Sequence, residues 1–218
     1  ARATIAGGIE DVQSRMNLRN LVGLDGKVSI VELEALRRLC NLLSLPSATA
    51  DLIAVAMLQS RVPPAAPNTN ASPDDGSNVE RPLPLMLPQD LYGVAGLDPQ
   101  AAAVLIPYVT VLPEAPTPVN VNTASAEVIA ARVGMSLSAA RALVAERDRI
   151  GYFTNVDNFR TRLPNQGVDL DTQQISTQSR YFLVRGQVRL DRATTRMEAL
   201  VRRPAVNQVV QVLWEREL

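Results

Sequence analysis

Residues 119–125 read Val-Asn-Val-Asn-Thr-Ala-Ser, and they begin the stretch that decides how the chain is organised. The threonine or the serine of this stretch can cap a helix, and Gly134 can end that helix as a left-handed residue. Ser136 or Ser138 can start a second helix, after which Gly151-Tyr-Phe153 turns the chain back. The stretch predicts two helices joined by a tight turn and closed by an aromatic loop.

This stretch resembles the DNA-binding helix-hairpin-helix family, whose pattern is Asn-x-Asn-Thr-Ala, helix, Gly-h-Gly-x-x-x-Ala, helix, Gly-x-Phe. The matching residues are Asn120, Asn122, Thr123, Ala124, Gly134, Ala140, Gly151 and Phe153. Members hold DNA phosphates with backbone N–H groups at the hairpin. Here Ser136 replaces the second glycine, Ala139 stands where the family often has Lys, and the charges from Glu114 to Arg180 balance. Non-sequence-specific DNA binding is therefore kept only as the alternative function.

The apolar pattern changes to a period of two after Arg180. It predicts an antiparallel meander of three strands, over about residues 181–190, 196–203 and 208–215. In the first strand, one face holds Phe182, Val184, Gly186, Val188 and Leu190, and the other holds Tyr181, Leu183, Arg185, Gln187 and Arg189. In the last strand, one face is expected to hold Val210, Val212 and Trp214. Residues 4–22 also read as a strand or two, and we expect them to join the meander because no hairpin partner is near.

The predicted fold class is therefore α+β, with an antiparallel sheet domain interrupted by a large all-α domain. The sheet domain comprises residues 1–22 and 179–218, and the inserted α-helical domain comprises residues 23–178. The insert contains a Pro-rich loop at residues 61–88 and the helix-hairpin-helix-like module at residues 119–160. Repeated prolines exclude a continuous helix or a central strand from the loop.

Further helices of the insert are predicted from their start signals. Ser29, with Glu32 three residues later, has the spacing of a capping box. Ser47 is expected to begin the next helix, and Asp98 to cap another with Pro99 at its first position.

Composition argues against an enzyme and mildly against a nucleic-acid protein. The chain has 218 residues, a formal net charge of +0, no His and a single Cys. The lack of His excludes Ser-His and Cys-His pairs and His-ligated metals, and the lone Cys40 excludes an intramolecular disulfide. Nucleic-acid-binding proteins usually carry a basic surplus, so no nucleic-acid partner is expected. No apolar run reaches the roughly 18 residues that a membrane-spanning helix needs.

A second resemblance covers nearly the whole chain. It rests on the segments Ile9-Glu-Asp-Val12, Met16-Asn-Leu-Arg-Asn-Leu21, Arg81-Pro-Leu83, Leu91 to Gly96, Pro107-Tyr-Val-Thr-Val-Leu-Pro113, Val119 to Ala124, Ser179-Arg-Tyr-Phe182 and Val212-Leu-Trp-Glu-Arg-Glu217. Together these segments are similar to protein K of the bacterial type II secretion system, a minor pseudopilin family. The resemblance implies a pilin-like sheet with a large inserted helical domain.

The same resemblance implies a non-catalytic role at the tip of the periplasmic pseudopilus. Its implied partners are minor pseudopilins I and J, with H joining the tip to the shaft. Its implied location is the periplasm of a Gram-negative cell, with the full-length form held in the inner membrane by an N-terminal hydrophobic helix absent from this sequence.

Calcium is the one candidate cofactor. Many members carry acidic residues associated with calcium where this chain has Ala56-Met-Leu-Gln59, without a carboxylate. The acidic candidates that remain are Asp74, Asp75 and Glu80 in the Pro-rich loop, because calcium prefers oxygen ligands. A solvated Asp-Asp-Gly turn is the alternative interpretation of this cluster.

Candidate partner-binding residues come from the sheet. Tyr181, Arg185, Arg189 and Trp214 are selected because aromatic residues and Arg are enriched where protein interfaces concentrate their energy. For Trp214, packing within the sheet domain is the alternative role.

Overall fold

The computed structural model describes residues 3–60, 83–164, 173–191, 193–204 and 209–218. Its helices, α1 to α6 in chain order, are Ile30–Leu42, Thr49–Gln59, Pro99–Leu105, Ala126–Val133, Leu137–Ile150 and Val156–Arg160. Its strands, β1 to β8 in chain order, are Ala3–Asp11, Met16–Asn17, Val109–Thr110, Val119–Asn120, Ile175–Ser176, Tyr181–Leu190, Ala193–Arg202 and Gln211–Glu217. The architecture is α+β, as the sequence pattern predicts.

The main sheet is built from the two ends of the chain. It has four antiparallel strands in the order β1-β6-β7-β8. Strand β1 runs the full length of β6, from Ala3 opposite Leu190 to Asp11 opposite Phe182. The predicted pairing of the N-terminal strand with the C-terminal meander is confirmed by this register. The domain boundaries at residues 22 and 179 stay a prediction.

The register shows which side chains share a face, because cross-strand partners point to the same side of a sheet. The prediction that Val212 and Trp214 share a face is wrong. Val212 lies opposite Val201, whereas Trp214 lies opposite Leu200, across a register shift that leaves Leu213 as an extra residue. A bulge of one residue reverses the faces on either side of it. Val212 and Trp214 therefore lie on opposite faces.

The N-terminal strand is shorter than the pattern over residues 4–22 suggests. It ends at Asp11, and 3₁₀ turns follow at Val12–Ser14 and Leu18–Leu21. Asp11 and Asn17 start these turns, because each side chain accepts a hydrogen bond from the backbone N–H two residues later. Such local bonds compete with strand pairing.

Two buried asparagines hold the segment that enters the helix-hairpin-helix-like module. Asn17 donates to the Glu114 carbonyl and accepts from the Leu112 N–H, each at 3.0 Å. Asn20 donates to the Thr117 carbonyl and accepts from the Thr117 N–H, each at 2.9 Å. These amides satisfy backbone groups that no regular ladder pairs.

The Asp11 carboxylate joins three separate parts of the chain. Its Oδ2 accepts hydrogen bonds from Asn120 Nδ2 at 3.0 Å, from Thr123 Oγ1 at 2.5 Å and from Ser179 Oγ at 2.7 Å. Its Oδ1 accepts from the Gln13 N–H at 2.9 Å. The end of β1, the start of the module and the approach to β6 therefore meet at one side chain.

Most helices start with the side-chain caps that the sequence predicts. The capping side chains are Ser29 for α1, Asp98 for α3, Ser125 for α4 and Ser136 for α5. Gly134 ends α4 at a φ of 77°, in the left-handed region that a side chain would strain. The exception is α2, which begins at Thr49 and not at Ser47, and has no side-chain cap.

The helical part encloses the larger of two apolar clusters. Its fully buried large residues include Leu18, Leu36, Leu39, Ile53, Leu91, Leu105, Ile129, Phe153 and Phe159. The rings of Phe153 and Phe159 meet edge-on with centroids 5.2 Å apart. Asn122 closes the module, donating to the Phe153 carbonyl and accepting from its N–H. The predicted aromatic closure of the two helices is confirmed.

An ion pair crosses this core between α1 and α4. Both terminal nitrogens of Arg132 donate to the two carboxylate oxygens of Glu32, each at 2.8 Å. The Arg132 side chain is 1% exposed and that of Glu32 is 11% exposed. Glu32 was expected to complete a capping box, but its carboxylate is directed to Arg132 instead.

Within the described residues, the longest helices are too short and too polar to cross a membrane.

Replacing Glu32 with Gln is expected to lower the free energy of unfolding by about 3 kcal/mol, because it leaves the buried Arg132 charge uncompensated. Urea unfolding followed by circular dichroism measures the change. The matched control is Asp51→Asn, which removes the half-exposed partner of Arg37 and should cost less than about 1 kcal/mol. Equal losses in both variants would show that the Glu32–Arg132 pair is no more important than a surface pair.

Candidate partner-binding surface

One face of the main sheet is apolar and open. The residues that define this apolar sheet face are Ile5, Ile9, Val184, Val188, Leu190, Met197, Val201 and Val212. Two charged residues, Glu215 and Glu217, share the face at its β8 edge. Six of the apolar residues are exposed, with exposed fractions from 46% for Val188 to 79% for Ile5. Contiguous apolar surface of this kind marks an interaction site in a folded protein.

Glycines keep the middle of this face low. Gly7 lies opposite Gly186 in the β1–β6 ladder. A Cβ added at Gly7 would lie 2.7 Å from the Arg185 carbonyl oxygen, so a side chain at this position would force the strands apart. The isoleucines at positions 5 and 9 flank the glycine on the same strand. The face therefore has a shallow central depression between apolar ridges.

The opposite face is covered at one end by the helical part. Tyr181, Leu183 and Leu200 pack there with Val12 and Leu112 to form the smaller apolar cluster, and Leu213 and Trp214 are partly buried against it. This contact fixes the orientation of the sheet on the helices.

Next to this cluster, Glu198 is the centre of an ion network. Its carboxylate accepts from Arg185 Nε at 2.7 Å and from Arg216 NH2 at 2.8 Å. Arg185 also donates to Glu10 at 2.8 Å, and Glu10 pairs with Arg15. Burial opposes the charged form of Glu198, but the bonds from Arg185 and Arg216 outweigh it and hold its pKa below the ordinary value.

The four predicted partner-binding residues have different surroundings. Tyr181 has none of its surface exposed, and burial raises the pKa of its hydroxyl to about 12, with the Glu114 carboxylate as a second cause. A side chain buried in this way is not available to a partner, so Tyr181 packs within the protein and is not a contact residue. Trp214 is half-buried under the Arg216 guanidinium, whose carbon lies 5.6 Å from the ring centroid. Arg185 is engaged in the network, and Arg189 is exposed; contacts by these residues stay predictions.

The hairpin of the module is not arranged like an open phosphate site. The Ser136 hydroxyl accepts the Ala139 N–H at the start of α5, where a phosphate would be bound. Arg147 donates to the carbonyls of Val121 and Ala124, and Arg38 donates to that of Ala131. The nearby guanidinium groups therefore hold the module together. No observation favours the alternative of DNA binding.

The predicted calcium ligands Asp74, Asp75 and Glu80 lie outside the described residues. In the part of the chain that the structure describes, no group of three or more Asp, Glu or Cys side chains is placed to hold a metal ion.

The amino-acid sequence also matches models of a known protein family. Two models described as "Type II secretion system (T2SS), protein K" match the chain, one over residues 14–114 and the other over residues 119–178. Together they cover most of its length.

The chain belongs to the type II secretion system protein K family.

A solved relative supports the same fold. The crystal structure of the GspK-GspI-GspJ complex from the type 2 secretion system of enterotoxigenic Escherichia coli matches with a TM-score of 0.74 and 23% identity. The match covers 99% of this chain and 80% of that chain. At this level of identity the likeness shows the fold, a pilin-like sheet with an inserted helical domain. No curated protein sequence matches the chain at a significant level.

For this member of the protein K family, sequence reasoning missed most of the surface that the structure brings together. The ion network joins Glu10 from β1, Arg185 from β6, Glu198 from β7 and Arg216 from β8, and these residues are far apart in sequence. The apolar sheet face carried a detectable signal, because the even-numbered residues of β6 alternate with polar ones. What the pattern did not tell was which face the helical part would cover.

Replacing Glu198 with Gln is expected to lower the free energy of unfolding at pH 7 by about 1–2 kcal/mol, because two arginines lose their shared carboxylate. Since the folded-state pKa of Glu198 is held below its ordinary value of 4.5, its stabilising contribution is present above that pH. It is lost as the pH falls through the lowered pKa. Urea unfolding at several pH values from 7 to 3 should show the wild type and the variant converging below pH 4.5.

The matched control for that series is Glu215→Gln, on the neighbouring strand but exposed. It should change the unfolding free energy little at any pH. A difference between wild type and Glu198→Gln that stays constant from pH 7 to pH 3 would contradict the role of the Glu198 charge.

Proposed function

We propose that this chain is a minor pseudopilin that forms the tip complex of the periplasmic pseudopilus and thereby supports protein secretion across the outer membrane. Its direct partners in this proposal are minor pseudopilins I and J, with H linking the tip to the shaft. Membership of the protein K family supports the role, and so does the fold shared with a chain of the GspK-GspI-GspJ complex.

The observation that carries the proposal is the exposed apolar sheet face. Ile5 and Ile9 lie on the same face of β1, on either side of Gly7, and each is more than 70% exposed. Their apolar surface is removed from water only when another element covers it. A hydrophobic helix fits a flat apolar sheet face with a central depression, because its side chains can seat between the ridges. In the proposed assembly the pseudopilin subunits supply this helix. The sheet then faces the filament, and the helical part faces away from it.

The proposed role is structural and not catalytic. The chain has no His, so the nucleophile–base pairs that use it cannot form. The inserted helical part adds bulk on one side of the sheet, and bulk at a filament tip restricts the addition of further subunits. The full-length protein in this proposal is periplasmic and held in the inner membrane by an N-terminal hydrophobic helix until assembly.

Co-expression with minor pseudopilins I and J from the same secretion system tests the proposal. We expect the three proteins to elute together in size-exclusion chromatography as a complex with equal amounts of each chain. Elution of this chain alone, beside an I–J pair that is itself intact, would contradict the proposed function.

The variant Ile9→Asp with Val188→Asp tests which surface is used. Two charges on the apolar sheet face should weaken the complex by at least about tenfold, since an unpaired charge is costly to bury in an interface. The control is Leu24→Asp, a similarly exposed apolar residue outside the sheet. If the double variant binds as tightly as the wild type, the apolar sheet face is not part of the interface. The proposal that I and J are the partners would still stand.

A further inference from the structure

The second face of the sheet carries a group of three arginines beyond the region covered by the helical part. Arg185, Gln187 and Arg189 are alternate residues of β6 and therefore point to the same face. Arg196 on β7 shares this face because it lies opposite Gln187. With Gln187, these residues define the basic sheet face. Along β6, Leu183 of the smaller apolar cluster comes first, then Arg185 of the Glu198 network, and then Gln187 and Arg189.

Charge balance differs along this face. Arg185 is matched by Glu10 and Glu198. Arg189 has only a long bond, 3.5 Å from its Nε to the Asp191 carbonyl oxygen. In the described part of the chain, Arg189 and Arg196 form no ion pair with a carboxylate. Both are exposed, so two positive charges project from the outer half of the face.

A shallow hollow of about 380 Å³ lies beside Arg196. Its charged lining residues are Arg185, Arg196 and Glu10, and Glu10 is already paired with Arg185. The hollow exists because Gly8 lies opposite Arg185 and brings no side chain of its own. Arg196 lines the hollow, and Arg189 lies two residues beyond Gln187 on the same face. The hollow can therefore accept an apolar side chain while neighbouring carboxylates reach the two guanidinium groups.

We propose that the basic sheet face docks an acidic segment of the I–J partner pair, which seats an apolar side chain in the hollow and presents carboxylates to Arg189 and Arg196. Arg suits this role because its planar fork binds carboxylates with two parallel hydrogen bonds. The proposal rests on the proposed function, since the I–J pair is its source of the acidic segment. It adds a second contact surface, on the side of the sheet opposite the apolar sheet face.

A folded protein partner fits this surface better than an anionic membrane does. Polybasic membrane-binding segments carry clusters of about four to eight Lys or Arg. Here Glu10 and Glu198 stand beside Arg185, so the surface presents charges of both signs at fixed positions. Mixed charge at fixed positions favours a partner with a complementary pattern.

The test is the affinity of the I–J pair for the chain carrying both Arg189→Glu and Arg196→Glu. We expect binding to weaken by at least about tenfold, because acidic groups would then face acidic groups. Wild-type affinity should decrease as NaCl is raised from 50 mM to 500 mM, whereas the affinity of the double Glu variant should increase, because salt screens the repulsion. The milder variant, Arg189→Gln with Arg196→Gln, should lie between the two. Circular dichroism and thermal melting check that each variant is folded.

The matched control carries Arg141→Glu and Arg149→Glu, which make the same change in net charge on α5. It should bind the I–J pair as the wild type does. If the Arg189 and Arg196 variants also bind like the wild type, the basic sheet face is not the docking surface, although the proposed function stands. If the wild type itself does not bind, both proposals fall. Retention of the wild type on phosphatidylglycerol vesicles, abolished by the double variant, would assign the face to a membrane and overturn the protein partner.

Discussion

The Asp11 carboxylate is the point on which the rest of the structure depends. A sheet made from the two ends of a chain requires that residues far apart in sequence meet at a defined angle. Asp11 ends β1 and accepts hydrogen bonds from Asn120 and Thr123 at the entry to the module and from Ser179 just before β6. Because this partly buried carboxylate accepts hydrogen bonds from both later segments, it holds them against the end of β1. Gln13 joins distant segments in the same way. Its side chain donates to the Pro118 carbonyl and accepts from the N–H groups of Arg180 and Tyr181.

The junction at Asp11 explains how one domain-sized insertion leaves the sheet intact. The chain leaves β1, builds the helical part and returns to the same place. The entropic cost of closing so long a connection grows only slowly with its length. The smaller apolar cluster around Tyr181 and Leu200 then holds the sheet against the helices. One consequence is that each sheet face has a separate role: one is partly covered by the chain itself, and the other stays open.

The sequence predicted the parts of the fold that depend on local chemistry. Ser29, Ser125, Ser136 and Gly134 have the residue types that helix ends require, and the structure uses each of them. Period-two alternation in β6 separated its faces correctly. The predictions that failed concern residues with distant contacts. The Glu32 carboxylate pairs with Arg132 and does not cap its own helix, and the bulge at Leu213 reverses the faces of β8. The contact surface was predicted least well, because Tyr181 has the residue type of an interface anchor but lies at the contact between sheet and helices.

The difference between the two sheet faces follows from where charge can be accommodated. Strand β7 carries Glu198 towards one side and Met197 towards the other, so a shift of one residue would turn the Glu198 carboxylate to the open face, away from Arg185 and Arg216. The bonds of Glu198 to Arg185 on β6 and Arg216 on β8 therefore select a single register for three neighbouring strands. An ion network of this kind adds little net stability compared with apolar packing, but it makes alternative registers costly. For a subunit whose two sheet faces would meet different neighbours, a fixed register is the property that matters, since it decides which side chains each neighbour meets.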